Sequence, residues 1–342
     1  MEARRRVQGA PRRDAAQAAQ VSSVPRPRFS ILLPTLDGAD DLRVLLPRLA
    51  EQRDSSGAAL DCELVAIDSS STDATVELLR GAGARVESIP RSEFRHGATR
   101  NRCAELAHGE LLVFLSQDVL PADEHFLAAL ARPFDDPRVA GVYGRVLPQP
   151  GCDPLTARTV LDLPEADEQP SVRDLDAVGG VWRLSAAERA EWLRFNNVAS
   201  CVRADVFRAI PFPPVSFGED FAWASRALSA GWRIAFEPRA VAWHAHRYTP
   251  AAAYERYRVD AAFHREAHGW RVRPTLGSAL RGFVYECAQD ARACTAAGPA
   301  ALLRHLWRSP LLRAAQVLGQ YAGSRSGGGG TLEERARAGI YF

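Results

Sequence analysis

Leu111-Leu-Val-Phe-Leu-Ser-Gln-Asp118 decides how this chain folds: five consecutive apolar residues run into two polar residues and a carboxylate. A run that is apolar at every position has no solvent face, so it predicts a strand covered on both sides, as inside an α/β sheet. Outward from it, similar short runs stand at residues 29–33, 63–67 and 85–89. Segments with apolar residues at helical spacing lie between them at 41–52, 73–82 and 97–107. This alternation predicts an α/β fold with a mostly parallel central sheet flanked by helices, Rossmann-like in its first half.

Ligands of open α/β sheets bind beyond the carboxyl ends of the strands. The residues just past each run are Pro34-Thr35, Asp68, Pro90-Arg91 and Gln117-Asp118. A further strand is expected at 139–146, followed at 148–184 by an acidic, Pro-containing stretch of weak periodicity that reads as a loop or lid. A second patterned block covers 196–246: a strand at 196–202, a short helix from Ala204, a Pro-rich turn, Phe217-Gly-Glu-Asp220 opening a helix, and strands at 232–236 and 240–243. Alanine- and arginine-rich helical segments continue beyond Pro250 to about residue 321, and a glycine run at 327–330 breaks the pattern. We therefore divide the chain into a disordered arm (1–28), a main domain (29–260, with halves 29–146 and 147–260), a helical extension (261–322) and a flexible tail (323–342).

With 342 residues the chain can bury a substantial core. All 43 of its basic residues are arginine; they are scattered, and 41 acids balance them to a net charge of +2, which gives no argument for nucleic acid. Six cysteines without a CxxC pair or zinc-ligand spacing fit reduced thiols in a cytoplasm. No apolar run approaches the roughly 20 residues that cross a bilayer. The arm lacks the apolar core of a signal peptide; a mitochondrial presequence is the competing reading of its arginines.

Several residue types in this pattern bear on chemistry. Asp118, at the end of a buried strand, either caps the next turn or holds a divalent cation such as Mg2+ or Mn2+ against a diphosphate, since hard cations favour carboxylate and phosphate oxygens. Asp68 repeats that arrangement and either accepts from a nucleotide or belongs to a capping cluster; Asp73 reads as a helix cap. Glu219 and Asp220 open a helix, where its dipole favours acids, and one of them can instead serve as a general base. His244 and His246, two residues apart on a continuing strand, share a face; either they are hydrogen-bonded or exposed histidines, or one of them, rarely both, offers its imidazole to a metal. Arg95, His96 and Arg100 surround Gly97 either in a loop suited to approach a phosphate, because the guanidinium fork matches phosphate oxygens, or in an ordinary glycine turn with solvated arginines. There is no GxGxxG and no lysine loop of the Walker type, lysine being absent altogether.

Six segments occur in an order and spacing that resemble the family-two glycosyltransferases of the GT-A fold, within them the bacterial rhamnosyltransferase-like branch. They are Ser30-Ile-Leu-Leu-Pro-Thr-Leu-Asp-Gly38, Ala66-Ile-Asp-Ser-Ser-Ser-Thr-Asp-Ala-Thr75, Phe94-Arg-His-Gly-Ala-Thr-Arg-Asn101, Phe114-Leu-Ser-Gln-Asp118, Pro211-Phe-Pro-Pro-Val-Ser-Phe-Gly-Glu-Asp220 and Trp243-His-Ala-His246. The resemblance covers residues 29–260. It implies that Pro34, Thr35 and Asp68 line a nucleotide pocket, with Asp37, Gln117, Arg100 and Asn101 near the donor. It makes Asp118 the last residue of a DxD metal motif, His244 a metal ligand with His246 competing, and Asp220 the base of an ED motif. Such enzymes invert configuration without a covalent intermediate and use metal and arginine against the charge on the departing diphosphate. The chain departs from the family where Ser116-Gln-Asp118 keeps one carboxylate of the DxD and where Ser69 replaces an acid. It also has no QxxRW, which favours addition of one sugar per acceptor.

The branch favours dTDP-rhamnose as donor, with UDP- and GDP-sugars open, and a glycan or lipid-linked acceptor of cell-envelope polysaccharide synthesis. Arginines interleave with apolar residues at helical spacing over 300–318. That pattern suits either peripheral contact with the inner face of a membrane or packing on the protein itself or a partner subunit in an oligomer. Two other readings of the chain stay open: a non-catalytic sugar-nucleotide or glycan-binding protein of this fold, and a sugar nucleotidyltransferase, which the missing phosphate loop disfavours.

Overall fold

The strand quoted first, β4 (Leu111–Leu115), lies in the middle of the sheet and is buried at all five positions. Its residues alternate between two cores, with Leu112 and Phe114 in one and Leu111, Val113 and Leu115 in the other, which is why no position tolerates a polar residue. The computed structural model describes residues 27–215 and 217–325; nearly all of the expected arm and most of the expected tail lie outside the described residues.

On one side of β4 come β1 (Phe29–Thr35), β2 (Cys62–Asp68) and β3 (Arg85–Ser88), all parallel. The crossovers are α1 (Ala39–Ala50), α2 (Thr75–Gly81) and α3 (His96–Leu106). α1 and α4 (Phe126–Ala131) cover one face, while α3, α7 (Ala204–Ala209) and α8 (Glu219–Ser229) cover the other. On the other side β8 (Ala199–Arg203) joins antiparallel, then β6 (Val139–Leu147), β9 (Arg233–Trp243) and the short β5 (Leu120–Pro121). The sheet is thus mixed: parallel through its first half, with the antiparallel pairings confined to the second.

The stretch at 148–184 is more ordered than a loop. It holds α5 (Pro154–Leu161), with Asp153 capping Thr156, and the strand β7 (Ser171–Arg173), which pairs with β9. The two strands expected at 232–236 and 240–243 are one strand, interrupted where the register against β6 jumps from Glu237 to Val241. Pro238 has no N–H to give the ladder, so its neighbourhood loops out and made one strand read as two. Beyond α6 (Ala186–Trp192), the C-terminal helices are α9 (Pro250–His268), α10 (Leu276–Ala296), α11 (Pro299–His305) and α12 (Ser309–Arg325). Residue 260 therefore falls inside a continuous helix, and α12 runs through 323, where the tail was expected to begin. No helix among the described residues is long and apolar enough to cross a membrane.

This extension is joined to the main domain in two ways. Fully buried Asp290 of α10 accepts from Arg158 Nε of α5 at 2.7 Å and from Arg313 Nε and Nη2 of α12, both at 2.8 Å, closing a charged knot between three helices. α12 also lies against α9 through glycines: a Cβ at Gly323 would sit 2.0 Å from the Arg258 carbonyl oxygen. Gly323→Ala should therefore lower stability by about 1–3 kcal/mol in a denaturant titration, because backbone blocks the methyl group. Gly277→Ala, which meets only Thr275 Oγ1 at 3.9 Å, should be neutral or stabilise by up to ~1 kcal/mol.

Candidate active site

The register of β1 on β2 sets Thr35 beside Asp68 at the carboxyl edge. Asp68 is buried and accepts from Thr35 Oγ1 at 3.3 Å, Ser71 N at 2.9 Å and the Ser71 hydroxyl. Asp37, in the left-handed region at φ 44°, donates its N–H to Ser71 Oγ and accepts from Thr72 N, both at 2.8 Å, so the loops after β1 and β2 are stitched together. Asp73 caps two helices at once, accepting from Ala39 N and Thr75 N at 3.0 Å. Pro34 is buried within β1 opposite Ile67. Gln117 is a fastener rather than a free donor ligand: its Oε1 accepts from Leu36 N at 2.8 Å and its Nε2 donates to Leu36 O at 3.1 Å, tying the loop after β4 to the loop after β1.

Asp118 stands in the turn after β4. His244 follows β9, its N–H donating to Leu147 O at 2.9 Å so that the ladder with β6 continues past the strand. Asp118 Oδ2 lies 3.3 Å from His244 Nε2 and 3.6 Å from His246 Nε2, and one ligand atom from each residue falls within 4.8 Å of the others. The imidazoles share a face, as the two-residue period requires, with perpendicular rings 4.5 Å apart. Burial pushes the Asp118 carboxyl up, but the two histidines outweigh it and hold it below its usual value. Burial, then His244 and the charge of Arg256, push His246 down to about 4 against the pull of Asp118. An ionised carboxylate beside a neutral imidazole is the protonation state a metal ion needs. Asp41 of α1 is a neighbour that sequence reasoning missed: burial and the charge of Asp118 raise its carboxyl, with Gln117 pulling the other way. Acids are ordinary in a first helical turn, so nothing in the sequence marked it.

The third group forms where α8 begins. Gly218 is left-handed at φ 73°, and a Cβ there would lie 2.2 Å from the Phe263 ring, so only glycine lets α8 start against α9. Glu219 is buried and accepts from Arg100 Nη1 at 3.0 Å and Asn197 Nδ2 at 3.3 Å. Burial raises its carboxyl, yet Arg100 and His96 bring it below the usual range. Asp220 is pushed up to about 7 by burial and by the charge of Glu219, with the Phe221 amide, 2.9 Å away, pulling the other way.

The loop expected to meet phosphate does other work. Arg100 pairs with Glu219, and both amide atoms of Asn101 are held by the Phe212 backbone at 2.9 and 3.1 Å. Arg95 Nη1 donates to the Ser92 and Phe94 carbonyls at 2.9 and 2.6 Å. Gly97 allows close approach of chain rather than of phosphate, since a Cβ there would lie 3.2 Å from Pro213 O. Burial, with Arg100 and Arg256 nearby, pushes His96 down to about 4.

All three groups share one edge because β8 runs antiparallel to β4. Leu115 pairs with Ala199, and Ser116 N donates to Val198 O at 3.2 Å, so Asn197 brings Glu219 and Asp220 to the strand end from which Asp118 projects.

The family model "Glycosyl transferase family 2" matches residues 30–175. The chain is 32% identical to the O-antigen chain rhamnosyltransferase WbaN of Salmonella anatum and 29% identical to the O-antigen chain rhamnosyltransferase RfbN of Salmonella typhimurium. Each match runs over 226 residues, covering 65% of this chain and 68% of the relative. In fold it is similar to a mannosyltransferase from Pyrobaculum calidifontis solved with GDP-Man and Mn2+, at a TM-score of 0.52 and 20% identity, with 86% of each chain covered. The chain belongs to glycosyltransferase family 2, has the GT-A fold and is a sugar-transferring enzyme similar to the O-antigen rhamnosyltransferases.

Proposed function

We propose that the protein is an inverting transferase that moves rhamnose from dTDP-rhamnose to a hydroxyl of a glycan or lipid-linked acceptor, adding one sugar per acceptor. The observation that carries this reading is that Asp118, held between two imidazoles, and the Glu219-Asp220 pair that opens α8 stand at one edge of the sheet. The rhamnosyl donor and glycan acceptor take their support from the named relatives. A silent binding protein has no need of a carboxylate tuned to the pH of proton transfer.

In the proposed reaction Asp220 accepts the proton of the acceptor hydroxyl as its oxygen bonds to the anomeric carbon from the side opposite the leaving group. The bond from that carbon to the phosphate oxygen breaks, and its electron pair stays on the nucleoside diphosphate. Glu219 keeps Asp220 basic by its charge, while Arg100 holds Glu219 in place. Thr35, Asp37 and Asp68 stand at the strand ends where the nucleoside binds. Asp118, His244 and His246 would hold a divalent ion, whose mixed oxygen and nitrogen donors suit Mn2+ at least as well as Mg2+. When bound, that ion supplies positive charge to the diphosphate.

We place the enzyme in the cytoplasm, resting on the inner membrane face through its last helices. Leu303, Trp307 and Leu311 are 82%, 74% and 65% exposed and follow one another at four-residue spacing. From 271 to 325 there are eight arginines against two acids, Glu286 and Asp290; Arg313 is spent in the buried knot with Asp290, and the excess among the rest suits an anionic surface.

Asp220→Asn should lower turnover by about 10²–10⁴-fold while nucleotide binding persists. Because the base must be ionised, turnover should rise with pH through a midpoint near 7. In Glu219→Gln the midpoint should move to lower pH, since the like charge that raises Asp220 is gone; a midpoint unmoved or moved upward would contradict the assignment. In a thermal-shift panel of dTDP-, UDP- and GDP-sugars, dTDP-rhamnose should give the largest shift. Mn2+ should enlarge that shift in the wild type and leave it unchanged in Asp118→Asn. Vesicles containing phosphatidylglycerol should sediment the wild type, whereas pure phosphatidylcholine vesicles, or the Leu303→Glu/Trp307→Glu variant, should leave it in the supernatant.

A further inference from the structure

The arginines expected at the donor are engaged elsewhere, Arg100 by Glu219 and Arg95 by its own loop. The charge that develops on the diphosphate still calls for a cation from the chain, and α9 carries one. That helix leaves directly from the metal cluster: the Tyr248 ring is 5.8 Å from that of His246, and Thr249 caps the helix by accepting from Ala252 N at 3.2 Å. Two turns on, the Arg256 guanidinium lies 5.5 Å over the ring of Phe217, the residue that leads into Gly218-Glu219-Asp220. Asp260 Oδ1, one turn further, stands 3.6 Å from Arg256 Nη2 and orients it. The side chain is a third exposed, so the guanidinium is neither sealed in the core nor loose in solvent.

We propose that Arg256 is the arginine that grips the donor's diphosphate, spanning the interval between the Asp118 cluster and the Asp220 base. This rests on the transferase reading above. As the acceptor oxygen bonds to the anomeric carbon and the carbon–oxygen bond to phosphate breaks, the electron pair adds one negative charge to the nucleoside diphosphate; the proton stays on Asp220. A guanidinium meets that charge with two parallel N–H donors, and its advantage grows as the charge grows, which accelerates the step rather than merely tightening binding.

The test measures turnover, and affinity for dTDP, UDP and GDP each beside its own nucleoside, in wild type, Arg256→Gln and Arg256→Lys. Arg256→Gln should lower kcat by about 10²–10³-fold, as loss of a single group stabilising transition-state charge does. It should weaken the nucleoside diphosphate that binds wild type by about tenfold and leave the matching nucleoside unaffected, because the nucleoside has no phosphate. Arg256→Lys, which keeps the charge but not the fork, should fall between the two. Equal weakening of nucleoside and diphosphate would assign Arg256 a structural role and overturn the proposal, as would a kcat and diphosphate affinity within twofold of wild type. A wild type that binds none of the three diphosphates would instead overturn the transferase reading, and this inference with it.

Discussion

A guanidinium and a carboxylate, each more than nine-tenths buried, meet 3.0 Å apart between Arg100 and Glu219, and the catalytic half of the molecule depends on that contact. Arg100 belongs to a helix of the parallel half, and Glu219 opens a helix of the mixed half. Breaking a buried pair by removing one partner costs about 3–5 kcal/mol, because the other charge is left uncompensated. The two halves are thus held together by a bond that neither can lose alone. The same bond fixes the carboxylate whose charge raises its neighbour Asp220, so one interaction sets both the docking of α8 and the basicity of the residue beside it.

The sheet supplies the other constraint. A parallel strand delivers residues to one edge only, the edge at its carboxyl end. β4 does this with Asp118, but its neighbour β8 runs the other way, so the residues that precede β8 arrive at that same edge. The switch of direction beside β4 lets segments just over a hundred residues apart in sequence, around Asp118 and around Asp220, converge on one edge without a long loop. β9 adds the third contribution by pairing parallel to β6 and running on into His244 and His246.

Much of this was legible in the sequence, and what was not has a common cause. The strand of residues 111–115 declared itself because burial on both faces forbids any polar position, and the clustering of Asp118 with His244 and His246 follows from where strands end. What sequence could not show is how polar residues inside loops are engaged. Arg100, Asn101 and Gln117 have the right chemistry to hold a donor, yet each is held by another part of the chain: Glu219, the Phe212 backbone and the Leu36 backbone. Sequence displays a donor or acceptor but not its partner, and a buried amide must find one whichever residue folding brings near. Arg256 is the converse case, since an arginine within an alanine-rich helix reads as a solvated face until folding sets its guanidinium over the ring of Phe217.

The retention of one carboxylate in Ser116-Gln-Asp118 looks, from sequence, like a weakened metal motif. In the folded chain the backbone N–H of Ser116 joins the ladder to β8, while the Gln117 side chain closes the β1 loop and could not approach an ion without giving up a structural bond. The missing oxygen is replaced by nitrogen: two imidazoles from beyond the end of β9 converge on the same carboxylate oxygen. Exchanging a carboxylate for imidazole removes negative charge from the set and softens it, which lowers the preference for magnesium relative to manganese. It also leaves less charge in the cluster to repel a diphosphate.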